Sequence, residues 1–272
     1  AALEAAKFAG IRMLRLAKTN EKDEKRKEKI ITFAKEFVRY AFREKLSTAE
    51  IDHYINSKFA EDVPLHISIE KIVLLTLKSP RFLYPEWQSL AKKNKDPFVV
   101  TSRMALYFWD SIPDKRIHSL IDRGNLSKEW QIHELAKVML KDGRTRAKFT
   151  DFMIDWLDMK NKELPTISRK QYPDFNSALA LDLRRSLLSW IEKSIWEETI
   201  SWKDFIRMDK VHVNERIAKF YDIAFPDDGN VTGFWETNAS VLDRTGLFTH
   251  PYILASHSYA EESSPIHRGV FT

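Results

Sequence analysis

The sequence predicts an all-α fold, an irregular multi-helix bundle with a long loop-rich C-terminal tail. Three observations carry this expectation. Gly and Pro are scarce, 7 and 10 in 272 residues, and Lys, Glu and Leu are frequent, a bias that favours helix. Apolar residues recur at helical spacing along most of the first 224 residues. Hydrophobic residues make up 43% and charged residues 31%, the proportions of a chain with a packed core and not of a disordered one. The length allows about two domains, and we expect a helical domain over residues 1–224 and a loop-rich segment over 225–272.

The elements follow in order. The charged run Glu21 to Lys29 reads as a solvated helix end or loop. Ile30, Ala34, Phe37 and Ala41 then share one helix face, widened by Phe33, Val38 and Phe42. Ser47-Thr48-Ala49-Glu50 has the spacing of a capping box and predicts a helix from about Thr48 to Phe59. Ile69, Ile72, Val73, Thr76 and Leu77 line the next helix, which ends before Pro80. Ser79 to Pro85 reads as a Pro-bounded turn with buried aromatics. Asp96-Pro97 opens a nearly all-apolar helix, Phe98 to Trp109, expected at the centre of the core.

Ile112-Pro113-Asp114 breaks the chain before a short helix to about Ile121, closed by Gly124. Helices Trp130 to Leu140 and Arg146 to Leu157 are separated at Gly143, and Lys160 to Phe175 is loop. Leu179, Leu183, Leu187, Trp190, Ile191 and Ile195 give the cleanest stripe. Ser201-Trp202-Lys203-Asp204 opens a short helix, and His212 to Tyr221 reads as the last. After Phe225 Lys vanishes, Ser and Thr rise, and Gly229, Gly233, Gly246 and Gly269 fall close together. This stretch reads as loop, with a short strand at Tyr252-Ile253-Leu254, that wraps the helical body or leads into another domain.

The formal charge is +5 and the sequence pI about 9.1. Residues 225–272 carry −4 and the first 224 residues +9. Basic residues alternate with acids and form no stripe, so nucleic-acid binding ranks last among the readings. With no Cys, disulfides, thiolate metal sites, a Cys nucleophile and thioether attachment of haem to these residues are excluded. No apolar run approaches the roughly 20 residues of a membrane helix. The first residues, Ala1-Ala2-Leu3-Glu4, carry no Met and no signal peptide, and the last, Arg268-Gly269-Val270-Phe271-Thr272, stop inside what resembles a motif. The expectation is that further segments flank these residues.

No catalytic signature is complete. His133-Glu134 lacks the second His of H-E-x-x-H, because Lys137 stands in its place. G-x-G-x-x-G, P-loop and G-x-S-x-G patterns are absent. His250, His257 and His267 are the candidate metal ligands, since imidazoles brought together could hold iron, zinc or a neighbouring haem. Loop hydrogen bonding is the competing reading for the same three. His53, His66, His118, His133 and His212 read as surface or half-buried. The carboxylate pairs Asp151/Asp155 and Glu197/Glu198 read as surface charge, and catalytic residues stay unassigned. Most of the 8 Trp and 17 Phe fall on apolar helix stripes and read as core, with Trp87 and Trp235 as exceptions in loops. Asn125, Asn230 and Asn238 head glycosylation sequons.

Several segments together resemble one family. They are Ser79 to Tyr84, Thr101 to Asp114, Asp151 to Leu157, Tyr172-Pro173-Asp174-Phe175, Val213 to Tyr221, Gly246 to Pro251 and Ser263 to Gly269. In this order they resemble the planctomycete-type tandem domains of unknown function that accompany cytochrome c modules. Asp222 stands where that pattern has Gly, and Ser263 where it has Thr. The resemblance implies an exported protein, periplasmic or extracellular. A haem-attaching C-x-x-C-H lies beyond the R-G segment in that family, so no cofactor is expected within this chain and haem c is expected in a further part or a partner. The implied role is a helical body that scaffolds or docks a haem c domain for electron transfer, with a cytochrome c domain or other protein subunits as partners. Two alternatives stand beside it. One is a non-catalytic structural or interaction subunit of a larger complex. The other is a haem-coupled oxidoreductase acting on carbohydrate-type substrates, which predicts a concave pocket lined by loop aromatics.

Overall fold

The structure is a computed structural model and describes residues 1–84, 96–160, 163–196, 201–226 and 233–271. The fold is all-α and multi-helical, with two short strands among the described residues. The chain forms two compact units, residues 1–148 and 149–272. The change in composition at residue 225 is therefore not where the units divide. Trp87, Gly229, Glu197/Glu198 and the Asn230 sequon lie outside the described residues.

The first unit contains α1 (Ala2–Ile11), α2 (Met13–Leu16), α3 (Arg26–Phe42), α4 (Thr48–Tyr54), α5 (Leu65–Leu77), α6 (Pro80–Leu83), α7 (Pro97–Trp109), α8 (Lys115–Asp122), α9 (Glu129–Leu140) and the start of α10 (Gly143–Trp156). Helix α5 packs against both α1 and α3. The α1 contact is so close that a Cβ at Gly10 would fall 2.5 Å from Glu70 Oε1. Ala6, Ala9, Ile30, Ala34, Val38, Ile69, Ile72 and Val73 are buried in one core. Ala105, Trp109, Ile117, Leu135 and Met139 form another. Each large side chain buried in this way contributes about 1.5–3 kcal/mol, which is why the apolar stripes fix the helices.

The capping box is present. The Glu50 N–H donates to Ser47 Oγ at 3.3 Å, and the Ser47 N–H donates to Glu50 Oε2 at 2.7 Å. The helix ends at Tyr54 and a 3₁₀ turn follows over Asn56–Lys58, so α4 is shorter than its pattern suggested. Ser79 to Tyr84 is a single helical turn whose Ser79 hydroxyl caps the Arg81 N–H. Phe82 is half-buried and Tyr84 is 62% exposed, so neither aromatic is buried as expected. Arg81 pairs with Glu44 and Glu50 and lies 4.6 Å over the Phe42 ring. Buried Arg43 donates to the Arg81 carbonyl at 2.7 Å. This motif segment thus fastens α3 and α4 of its own unit.

Helix α7 starts at the Asp96 cap as expected, but only one of its faces is interior. Phe98, Val99, Ala105 and Trp109 are buried, whereas Arg103 is exposed and Tyr107 is 75% exposed. Arg103 and Tyr107 are four residues apart, on one helix face, and that face meets water. His118 on α8 is 1% exposed, with its ring 4.5 Å from Tyr40 and 6.1 Å from Phe98. That corrects its surface or half-buried placement: the period of Ile117 and Leu120 carries His118 inward as well.

The second unit contains the rest of α10, then α11 (Ser177–Trp196), α12 (Trp202–Arg207), β1 (Lys210–Val213), α13 (Glu215–Phe220), β2 (Trp235–Asn238), α14 (Pro251–Ser256) and α15 (Pro265–Phe271). Leu179, Leu183, Leu187, Trp190 and Ile191 of α11 lie in one core with Met153, Leu157, Phe205, Val211 and Ile217. Leu242, Leu247, Tyr252 and Ile253 join the same core, so the tail is built into this unit. Strands β1 and β2 are antiparallel, with His212 opposite Glu236 and Val213 opposite Trp235.

Four expectations are corrected here. His212 lies in β1, and the helix begins only at Glu215, after the Asn214 side chain accepts the Ile217 N–H at 3.0 Å. His212 is also buried, since the strand is interior at Val211, His212 and Val213. Tyr252-Ile253-Leu254 is helical, not a strand. His250 Nδ1 accepts the Tyr252 N–H at 3.2 Å and Pro251 occupies the first turn, a start that commits the segment to α14. Trp235 is half-buried in β2 and is not a loop residue.

Candidate functional site

The three tail histidines sit among different neighbours. His250 is fully buried at the start of α14. Its Nδ1 accepts the Tyr252 N–H, which leaves the proton of the neutral ring on Nε2, 3.4 Å from Ser186 Oγ. Ser186 Oγ in turn donates to the His212 carbonyl. Burial, with His212 nearby, lowers the His250 pKa to about 3. His257 is buried at the end of α14, its ring 4.2 Å from Phe271 and its Nε2 4.0 Å from Asp158 Oδ2. His267 is exposed on α15, 5.0 Å from the Tyr259 ring. Among the described residues no group of three or more His, Asp and Glu side chains could hold a metal ion.

A second polar series runs beside the strand pair. His212 Nδ1 lies 2.8 Å from Ser189 Oγ and its Nε2 3.5 Å from Glu236 Oε2. Glu236 also binds Lys193 at 2.7 Å and Lys210 at 3.0 Å. Partial burial pushes the Glu236 pKa up, but hydrogen bonds from the two lysines outweigh it and bring it down to about 2. Arg216 pairs with buried Asp182. These groups pair with one another and tie α11 to the strands and α13, a structural use of polar chemistry.

A cleft of about 690 Å³ opens in this unit. Loop and helix ends build it. The Ser168 N–H donates to the Ala260 carbonyl at 2.7 Å, joining the loop before α11 to the turn before α15. That turn is closed by a bridge between Ser258 and Ser263 and by the Tyr259 N–H on the Glu262 carbonyl at 3.0 Å. Tyr172, Phe175, Phe220, Tyr221 and Tyr259 supply aromatic wall, and Arg244 and Arg268 supply cations. Burial raises the Tyr221 pKa, the Arg244 charge opposes the rise, and Tyr172 adds to it. The Tyr221 hydroxyl is thus within electrostatic reach of both.

Four motif segments meet here. Tyr172-Pro173-Asp174-Phe175 contributes Tyr172 and Phe175, and Val213 to Tyr221 contributes Tyr221. Gly246 to Pro251 contributes Pro251, and Ser263 to Gly269 contributes Ser263 and Arg268. Arg244, Tyr259 and the Glu261-Glu262 pair were not singled out in the sequence. They lie outside any periodic stripe, and no local signal marks them. Asp151 and Asp155 are exposed, and Asp155 pairs with Lys160 at 3.2 Å, in line with surface charge.

Residues 96–223 match the family model PSD4, described as a protein of unknown function (DUF1592). The match takes in α7 to α13 and three complete motif segments besides Thr101 to Asp114. No curated protein and no solved structure matches the chain. No helix among the described residues is long and apolar enough to cross a membrane.

Proposed function

We propose that this chain is the helical body of an exported, cytochrome c-associated protein and that it docks a haem c module for electron transfer. The observation that carries the reading is the ordered motif series, four members of which meet at one cleft. In the family that the series resembles, the haem module follows the R-G segment. Here that segment, Arg268-Gly269, lies in α15.

Helix α15 offers a contact face. Ile266 is 76% exposed and Val270 84% exposed, and their spacing of four sets them on one side. Large apolar side chains displayed together suit a protein partner better than water. Behind them Phe271 lies 5.9 Å from Phe248, which lies 6.0 Å from Trp156. Trp156 lies 5.6 Å from Trp202. These packed rings give the helix a firm backing. Covalent haem belongs to the module, because the chain has no Cys to form a thioether.

The test has two parts. The longest reading frame that contains these residues is expressed with the c-type maturation machinery and inspected for a Soret band and thioether-linked haem. The 272-residue chain is then titrated with the haem module. Covalent haem and saturable binding are expected. A reading frame without C-x-x-C-H and without a Soret band overturns the proposal.

A further inference from the structure

The cleft of the second unit has a chemistry that the docking reading does not use. Its walls combine tyrosine and phenylalanine rings with hydroxyl-bonding groups at the rim, among them Ser258, Glu261 and Glu262. Half-buried Arg244 lines it too. Among the described residues the Arg244 side chain makes one hydrogen bond, from Nη1 to the Asp243 carbonyl at 2.8 Å, and no carboxylate partners it. Its Nε is buried with no acceptor among the same residues. A buried guanidinium N–H without a partner costs free energy until an acceptor arrives, and a carboxylate matches its fork. Glu261 and Glu262 are exposed, so water screens their repulsion of an anion lodged deeper at Arg244.

Aromatic faces suit the C–H face of a sugar ring, and carboxylates and hydroxyls at a rim suit its hydroxyl groups. A flat apolar acid would leave those rim groups unused. We propose that this cleft is a binding site for an acidic sugar, a hexuronate-type ring whose carboxylate meets Arg244 and whose ring lies on the Tyr172 and Tyr221 side. The volume is within the roughly 300–1,000 Å³ of ligand pockets and admits more than one ring. This proposal does not rest on haem docking, although Arg268 of α15 also lines the cleft.

Saturation-transfer NMR on the full chain decides it, with D-glucuronate, D-glucose and 4-hydroxybenzoate as separate probes. Glucuronate is expected to bind about tenfold more tightly than glucose, the margin of one charge-assisted pair. Arg244→Gln is expected to bring glucuronate down to the glucose level without moving the thermal midpoint. Arg244→Lys, which keeps the charge, is expected to retain part of the preference. Saturation transfer to 4-hydroxybenzoate but not to glucuronate overturns the proposal. Equal binding of glucose and glucuronate, an unchanged preference in Arg244→Gln, or no binding of glucuronate does the same. If Arg244→Gln lowers the midpoint, the Lys variant at native stability decides: loss of the preference there overturns the charge pairing, and its retention upholds it.

Discussion

The Arg144 guanidinium lies 3.4 Å from the centre of the Trp109 ring. The indole N–H of the same tryptophan donates to the Met139 carbonyl at 3.2 Å. Arg144 also binds Asp142 at 2.8 Å and Asp114 at 3.0 Å. One side chain therefore joins the end of α7, the cap of α8 and the start of α10 in the first unit. Asp142 is drawn down to about 2 mainly by its hydrogen bond from Arg144. Replacing Arg144 with Gln removes the cation over the ring and both ion pairs. The pairs are part-exposed and contribute little, so the expected loss is about 1–2 kcal/mol, most of it from the ring contact. Chemical unfolding followed by circular dichroism measures it, and the Asp142 carboxyl should titrate higher by NMR.

Gly246 stands at φ +87°, in the loop before α14. A Cβ there would meet the Ile206 carbonyl at 3.4 Å. That distance is ordinary contact, so it is the dihedral that opposes a side chain, and Gly246→Ala should cost about 1–3 kcal/mol in the second unit. Thermal unfolding of the variant reads this cost. A midpoint equal to that of the parent protein would show that the loop relaxes freely.

Acid should weaken both units through buried neutral histidines. Burial holds His250 at about 3 and His118 at about 4, against 6.5 for an exposed ring. Between each pair of values the unfolded chain takes up a proton that the folded one refuses. The stability is therefore complete above pH 6.5 and declines as pH falls towards 3 or 4. At pH 5 the loss is about 2 kcal/mol for each histidine. Hydrogen exchange in α14 and α8, compared at pH 7.5 and pH 5, separates the two contributions. Among the described residues neither ring nitrogen of His118 has a hydrogen-bond partner. His118→Leu should accordingly stabilise the first unit by about 1 kcal/mol at neutral pH and flatten its acid slope.

The helix starts were legible because caps are local. Ser47, Asp96, Asp114 and Ser201 each accept a backbone N–H within three residues, and each was visible as a Ser or Asp before a periodic run. Tyr252-Ile253-Leu254 misled because three apolar residues suit either period. The deciding group was His250, a residue type seldom read as a cap. His212 misled for a different reason: its strand exists only through Glu236, far along the chain. The cleft shows the same limit. Tyr172, Tyr221, Arg244 and Tyr259 come from four separate segments, and nothing local marks them as neighbours. The motif segments of Tyr172 and Tyr221 were recognisable, but Arg244 and Tyr259 lie outside any such segment, and what the four build together was not legible.

The exposed pair on α15 separates docking from folding. Ile266 and Val270 contribute little to the core, since both are largely in water. Replacing both with Ser should leave the thermal midpoint within about 0.5 kcal/mol of the parent, the usual range for surface changes. If α15 receives the haem module, the same change removes apolar area from the contact. Each large side chain lost at an interface centre costs about 1 kcal/mol or more, so binding of the module should weaken at least tenfold. Titration of the module into the parent and double variant, with circular dichroism on both, checks the two halves together. Unchanged affinity with unchanged folding would place the contact elsewhere on the chain. The Ser258-to-Ser263 turn would be the next surface to test, because Tyr259 is also exposed there.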